Sequence, residues 1–520
     1  MTLNYIDMLD RAVRHDPERT ALIDERGSCT FAELQRTTSQ FARTLIDTRF
    51  APETRFAALS PNTNEALLSM LGGLRAGGAW CNINLRNALE TNIDILNRGG
   101  CEALFFHSSC IDDLPAYRDG VASLRIVLCL DQDVGDYPSV ESFMAGTSSD
   151  TLNVLLPTDG IAFQGATGGT TGAPKLTQAN SDFLTANSLG FMAALNFDQP
   201  PVNLAATPIT HAAGMIVMTT LAMGGTAVLM ASADQDLLLE NIEKHRVSFM
   251  FLPPTLVYML MNHPRCATTD FSSLRYLLVG AAPFAIEKIA QAHKAFGPVI
   301  CQAFGQTESG FPLTFMSPVE ITEALASNEH YHRLGSIGRQ LATVGVVDIL
   351  NDEGESLPPG EVGEIVMRGP SAMLRYLNDP DATAEVQQFG WHHTGDLGYM
   401  DEDGYFYVSD RKRDLIISGG FNVFPLEIEQ VLAGHPAVQD SAVIGVPHEK
   451  WGEAVKAVVE LAPGAEIDED ALIALCKAEL GSMKAPKSVD FVAELPRSAV
   501  GKVLKRDLRR QYWDGQSGAI

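Results

Sequence analysis

The chain has 520 residues, 46% apolar and 20% charged, which suits about two or three folded domains with sizeable cores and excludes a disordered chain. Its 64 Asp and Glu outweigh 38 Lys and Arg, and a net charge of -26 argues against non-specific attraction to nucleic acid or to an anionic membrane surface. The 8 cysteines form no C-x-x-C pair and no Cys/His group at zinc-site spacing, so they are expected to be reduced core fillers in a cytoplasmic protein.

Near the N-terminus, Asp7 and Asp10 interrupt any apolar stretch of the secretory type. Phe31, Leu34, Phe41, Ala42 and Leu45 then fall on one face of an amphipathic helix. Short apolar runs at 55–59, 103–106, 124–130, 247–252 and 274–279 read as buried strands, and helix-like segments follow several of them. That alternation predicts parallel sheets with crossovers. Between 199 and 233 there is no Asp, Glu, Lys or Arg, but Pro200, Pro201, Pro208, Gly224 and Gly225 break the run. No stretch reaches the roughly 18 apolar residues of a membrane span, so a buried helix and strand are expected. From 344 to 407 strand-like pieces alternate with turns such as Asn351-Asp352-Glu353-Gly354, which predicts an antiparallel or barrel-like subdomain. The charged patch Arg411-Lys412-Arg413-Asp414 then leads to Gly419-Gly420 and a new unit. The expected fold is α/β. A large N-terminal domain, 1–412, holds parallel-sheet α/β subdomains and a small β-barrel-like subdomain, and a small α+β C-terminal domain covers 413–520.

The strongest local signal is Thr167-Gly168-Gly169-Thr170-Thr171-Gly172-Ala173-Pro174-Lys175. Glycines let backbone amides approach an anion, the threonines add hydroxyl donors, and Lys175 adds a full charge. A polyphosphate needs those groups. The loop is not of the Walker A type, because Ala173 and Pro174 separate the last glycine from the lysine and Leu176 follows it. The proline also opposes a helix start, so a loop between strands is expected.

This segment resembles the phosphate loop of the adenylate-forming superfamily, which includes acyl-CoA synthetases, carrier-loading adenylation domains and luciferases. Further matches follow in the family's order as far as Lys502, whereas the first 166 residues match no motif. Pro208-Ile209-Thr210-His211-Ala212-Ala213-Gly214 is similar to the segment that sets His211 beside an acyl pocket. Gly280-Ala281-Ala282-Pro283 is similar to the small-residue segment lining the adenine and acyl sites. Gln302-Ala303-Phe304-Gly305-Gln306-Thr307-Glu308 implies Phe304 and Gly305 at the adenine, Thr307 at the α-phosphate and Glu308 on Mg²⁺. His393-Thr394-Gly395-Asp396 and Arg411 imply a ribose site. Pro496-Arg497-Ser498-Ala499-Val500-Gly501-Lys502 resembles the loop carrying the catalytic lysine.

The resemblance implies that the C-terminal domain is mobile, turning about Arg413, where Asp or Lys is more typical. It also implies a pantetheine channel along Ser418, Gly419 and Gly420, with Trp451, Lys484 and Lys487 near the nucleotide end of coenzyme A. Ala213, Val217, Ala303, Phe311 and Pro312 would line an apolar acid pocket. The implied activity is of the fatty-acid or aryl-acid CoA ligase branch: a carboxylic acid, ATP with Mg²⁺ and coenzyme A give an acyl-AMP and then a thioester. Transfer to a carrier-protein thiol and a non-catalytic ATP-binding role are the alternatives. No nucleic acid and no membrane span are expected, and a homodimer is compatible with the reading.

Overall fold

A computed structural model describes residues 3–167, 174–497 and 503–513. Among these residues the strands form three sheets. The first is 14-stranded, and its centre is the parallel set Thr226–Leu229, Val202–Ala205, Phe249–Leu252, Tyr276–Val279 and Ile300–Gln306. The second has seven strands, with Ala79–Cys81, Arg55–Leu59, Ala103–Phe106 and Ile126–Cys129 parallel to one another. Strands such as Ala103–Phe106 and Phe249–Leu252 are buried along their whole length, as crossover helices on both faces require. The runs at 124–130 and 274–279 shorten to Ile126–Cys129 and Tyr276–Val279, because the Leu124 and Leu274 amides instead close turns onto Val121 and Phe271.

Helices Tyr5–His15, Phe31–Asp47, Asn64–Arg75 and Ala212–Ala222 contribute to one core that also takes residues from both large sheets, including Phe56, Trp80, Phe163, Ala205 and Leu229. Thr30 and Glu33 cap the Phe31 helix reciprocally, which starts it where the periodicity begins. The uncharged stretch forms the strand Val202–Ala205, the helix Ala212–Ala222 and the strand Thr226–Leu229, all largely buried, so one more strand than expected. Among the described residues no helix is long and apolar enough to cross a membrane. Arg75 has no exposed surface and meets Asp10 through two hydrogen bonds, 2.7 and 3.0 Å, so the first helix is held by a buried charge pair.

The strands Gly310–Met316, Gly338–Gln340, Tyr405–Arg411, Trp391–Met400, Gly363–Arg368 and Val346–Leu350 extend the first sheet as an antiparallel run. Leu313, Val347, Ile349, Met367 and Phe406, from strands at both ends and the middle of this run, share one small core, so the ladder wraps around them. The third sheet holds Phe421–Val423, Ile416–Ser418, Gly452–Leu461, Val438–His448 and Ser488–Val492, flanked by Pro425–Ala433 and Glu469–Lys484. All eight cysteines are free thiols, seven of them buried.

Asp410 lies where the chain passes towards the third sheet. Its carboxylate accepts from the Leu426 amide at 2.8 Å and the Arg411 amide at 2.7 Å. Burial raises its pKa to about 6, against the opposing pull of Lys505, which itself pairs with Glu429 at 2.7 Å. A carboxyl whose folded pKa lies above its unfolded value adds stability that is complete below pH about 4 and lost as pH rises through about 6. The shift corresponds to roughly 2–3 kcal/mol. Unfolding measured from pH 4 to 7 is therefore expected to show a steeper fall in stability for the native chain than for Asp410→Asn, whereas parallel curves would contradict the assignment.

Candidate active site

Strand Ile161–Ala166 runs antiparallel to Leu176–Asn180, and the phosphate-loop segment connects them. The Thr167 amide donates to the Lys175 carbonyl at 2.9 Å, closing the base of the loop, and the Ala166 amide donates to Asn82 Oδ1 at 2.7 Å. Gly168, Gly169, Thr170, Thr171, Gly172 and, near the C-terminus, Lys502 lie outside the described residues. Lys175 is described, and its Nζ stands 5.0 Å from the centre of the Tyr376 ring.

Gly165 brings this strand to the second motif. A Cβ there would lie 2.4 Å from Thr307 Cγ2, so only the missing side chain lets Thr307 approach. The phosphate loop and the Thr307–Glu308 turn therefore leave the carboxyl ends of strands from two different sheets at one place. Ligands of open α/β sheets bind at such strand ends. Glu308 is anchored at both levels: its carbonyl accepts from the Met373 amide at 2.7 Å and its Oε1 from the Tyr376 hydroxyl at 3.2 Å.

Phe304 and Gly305 precede this turn. A Cβ on Gly305 would fall 2.2 Å from the Gly310 carbonyl, so the hairpin turn closes only with glycine. Gly280 ends the neighbouring strand, with Phe251 and Phe311 next to its free face, and Ala281 adopts φ 70° in the left-handed region. Ala281, Ala282 and Pro283 follow as exposed residues.

Asp396 is 3% exposed and lies opposite Arg411 across two antiparallel strands. Arg411 Nε approaches Asp396 Oδ1 at 3.2 Å, while Gln306 Nε2 donates to Asp396 Oδ2 at 2.5 Å and to the Thr394 carbonyl at 3.0 Å. Gln306 thus ties the aromatic-Gly motif to the Gly-Asp motif. Arg413 lies in the field of Arg411, Asp414, Asp396 and Glu308, which places the position read as a hinge beside the same cleft.

His211 precedes the helix Ala212–Ala222, with Nδ1 3.2 Å from the Thr210 hydroxyl. Burial lowers its pKa to about 4, so the imidazole is neutral at pH 7. Ala213, Ala303 and Phe311 gather with Phe191, Phe249 and Phe251 in one cluster. Phe311 meets Phe191 edge-on at 5.2 Å and Phe251 at 5.8 Å. Val217 does not join them, since one turn further along its helix it packs into the core between the sheets with no exposed surface.

In the third sheet Gly419 and Gly420, at φ 59° and 84°, turn the hairpin between Ile416–Ser418 and Phe421–Val423. Both angles disfavour a Cβ, so conformation requires these glycines in addition to space. Ser418 Oγ donates to the Glu453 carbonyl at 2.7 Å and the Gly419 amide to the Trp451 carbonyl at 2.9 Å. Trp451 stacks on His448 at 4.3 Å with Lys487 above it at 5.6 Å. Lys484 is engaged elsewhere, by Glu427 at 2.5 Å.

Sequence reading passed over Asn82, Gly165, Gln306 and Tyr376 as site residues. Gln306 stood inside a recognised motif. The other three act through pairings between distant segments, which leave no local signal.

The family model described as AMP-binding enzyme matches residues 9–377, and the AMP-binding enzyme C-terminal domain matches residues 427–502. A feruloyl-CoA synthase from Amycolatopsis sp is 34% identical over 96% of this chain and 98% of its own length. The medium/long-chain-fatty-acid–CoA ligase FadD8 of Mycobacterium tuberculosis is 34% identical over 89% of this chain and 82% of its own. Among solved structures, the amide bond synthetase McbA from Marinactinospora thermotolerans superposes with a TM-score of 0.88 at 30% identity, covering 98% of this chain and all of that one. The chain belongs to the AMP-binding enzyme family.

Proposed function

We propose that the chain is an AMP-forming acid–thiol ligase that joins a small apolar carboxylic acid to coenzyme A at the expense of ATP. The observation that carries this reading is the convergence of Lys175, the Thr307–Glu308 turn and the Asp396–Arg411 pair on one cleft at the strand ends of two sheets. The family and its CoA-ligase members support the same chemistry.

A carboxylate resists nucleophiles because of its charge and resonance. Transfer of AMP to it makes a mixed anhydride with a good leaving group. Attack at the α-phosphate concentrates negative charge, so groups already in place supply most of the rate. In this reading the phosphate loop and Lys175 hold the triphosphate, Thr307 donates to the α-phosphate, Phe304 faces the adenine, and Asp396 and Arg411 hold the ribose. Glu308 is the carboxylate that this reading offers to the metal. That suits Mg²⁺, which takes one or two protein carboxylates and completes its shell with phosphates and water. Bound there, the ion would neutralise phosphate charge. The neutral His211 orients the acid by hydrogen bonding and not as a cation.

For the thiol step the domain beyond about residue 412 turns at Arg413, bringing the hairpin at Ser418, Gly419 and Gly420 to the cleft. Ile417 and Phe421 on that hairpin are each 55% exposed, an apolar pair suited to packing on the large domain after the turn. Trp451 and Lys487 offer a face and a charge to the CoA nucleotide. The free thiols suit a cytoplasmic location.

In this reading the acid is compact, aromatic or alicyclic, because Phe311, assigned to the acid site with Ala213 and Ala303, packs edge-on against Phe191 and Phe251. Phe311→Ala is expected to shift the ratio of kcat/KM for octanoate over a cinnamate-type acid upward by about 10- to 100-fold, the scale on which a pocket ring discriminates. An unchanged ratio would show that the ring does not set length. The activity itself is tested by pyrophosphate release across a panel of carboxylic acids, with mass detection of CoA thioesters. If no acid elicits release, the reading fails.

A further inference from the structure

The segment 373–386 belongs to none of the motifs, yet it reaches the centre of the cleft. Strand Arg375–Tyr376 pairs with Leu176–Asn180, directly after the phosphate loop, with Tyr376 opposite Thr177. The pairing is extended by the Leu374 amide on the Gln178 carbonyl at 2.8 Å and the Leu377 amide on the Leu176 carbonyl at 2.7 Å. The Tyr376 amide donates to Thr383 Oγ1 at 3.0 Å, and Arg375 Nε donates to Gln178 Oε1 at 2.9 Å. Both bonds hold the dipeptide from either side.

Tyr376 is 6% exposed. Its hydroxyl donates to Glu308 Oε1 at 3.2 Å, and its ring lies 5.0 Å below Lys175 Nζ. One side chain therefore touches both the carboxylate read as the Mg²⁺ ligand and the lysine read as the phosphate-loop cation.

We infer that Tyr376 is a positioning residue that sets the Glu308 carboxylate for Mg²⁺ through its hydroxyl and holds Lys175 over the triphosphate through its ring. The inference rests on the proposed adenylation reading. A carboxylate with one oxygen held by a phenol presents the other in a fixed direction, which a single-carboxylate Mg²⁺ site needs because the protein supplies so few of the ligands. The ring meanwhile offers its negative face to an ammonium that would otherwise be free to rotate away.

Two variants separate the two contacts. Tyr376→Phe removes the hydroxyl and keeps the ring, whereas Tyr376→Leu removes both. Calorimetric titration of ATP with and without Mg²⁺ gives the gain in affinity that the ion confers. Pyrophosphate release against Mg²⁺ gives its half-saturation. Tyr376→Phe is expected to reduce the Mg²⁺-dependent gain and raise the half-saturating Mg²⁺ by about 10-fold, the scale of a hydrogen bond to a charged group. ATP affinity without Mg²⁺ should hold. Tyr376→Leu is expected to weaken Mg²⁺-free ATP binding as well, by about 2- to 5-fold, the scale of a cation–π contact.

In a Glu308→Gln background Tyr376→Phe should leave the Mg²⁺ dependence where Glu308→Gln alone put it. Full additivity of the two changes would overturn the inference. So would a Tyr376→Phe protein whose melting midpoint falls while its Mg²⁺ dependence matches the native chain, since that marks a purely structural role. Pyrophosphate release by the native chain is the separate check on the activity, so a failure there is distinguishable from a failure of the tyrosine.

Discussion

Lys502→Ala is expected to lower acid-dependent pyrophosphate release by about 100- to 1000-fold, the usual loss when one preorganised charge leaves a reacting phosphate. The fold should survive, because the stem that carries the lysine is fastened independently of it. Arg497 bridges to Val503 as an antiparallel pair, and the Leu504 amide donates to the Pro496 carbonyl at 2.8 Å. Arg497 also reaches Asp440 at 2.7 Å and Glu460 at 3.3 Å, and the half-buried Lys505 pairs with Glu429 at 2.7 Å. These bonds tie both ends of the loop to the third sheet and the helix on it, so the lysine travels with that domain. Thioester formation from a supplied acyl-adenylate should persist, because in the proposed mechanism that step uses the domain turned and the lysine withdrawn. A variant that still releases pyrophosphate at the native rate would remove the lysine from the mechanism.

Gly165→Ala is expected to lower the same rate by about 100-fold, the scale of a displacement of about 1 Å in a reacting group. A Cβ at this position meets Thr307 Cγ2 at 2.4 Å, Phe163 Cε1 at 2.8 Å and Thr177 Oγ1 at 2.8 Å, all closer than real Cβ atoms come. Phe163 and Thr177 are held in the core and the strand ladder, so the least constrained neighbour is the Thr307 turn. Its displacement takes Glu308 with it, because the two residues are adjacent. The measurement is kcat at saturating ATP and acid together with the circular dichroism of the folded chain. Native kcat in Gly165→Ala would mean that the close approach of strand and turn has no part in catalysis.

The helices and parallel strands were legible wherever burial follows a simple period. Phe31–Asp47 starts at its Thr30 cap and keeps Phe31, Leu34, Phe41, Ala42 and Leu45 inside. Arg55–Leu59 and Ala103–Phe106 occupy the ranges their apolar runs indicated. The uncharged segment resolved into a buried helix between two strands because its prolines and paired glycines set its breaks. Periodicity did not reveal that the antiparallel run continues the parallel sheet, since strand order depends on partners far along the chain.

For the site, Lys175 was named from the chemistry of its own glycine-rich loop, whereas Thr307, Glu308, Asp396 and Arg411 were named only by resemblance to family motifs. Val217 could not be placed, because on a helix apolar all round nothing local says which face meets a pocket. Lys484 looked available for a nucleotide, but its charge is matched by Glu427, 57 residues away in the chain.

By itself the sequence determined the α/β class and marked the glycine-rich loop before Lys175, because buried periodicity and glycine-rich turns are local properties of a chain. Only the tertiary structure decided how the groups of the site meet: Gly165 beneath Thr307, Gln306 bridging to Asp396, and Tyr376 between Glu308 and Lys175. These contacts join residues from separate sheets and loops, and their geometry exists only once hydrophobic burial has brought the sheets together.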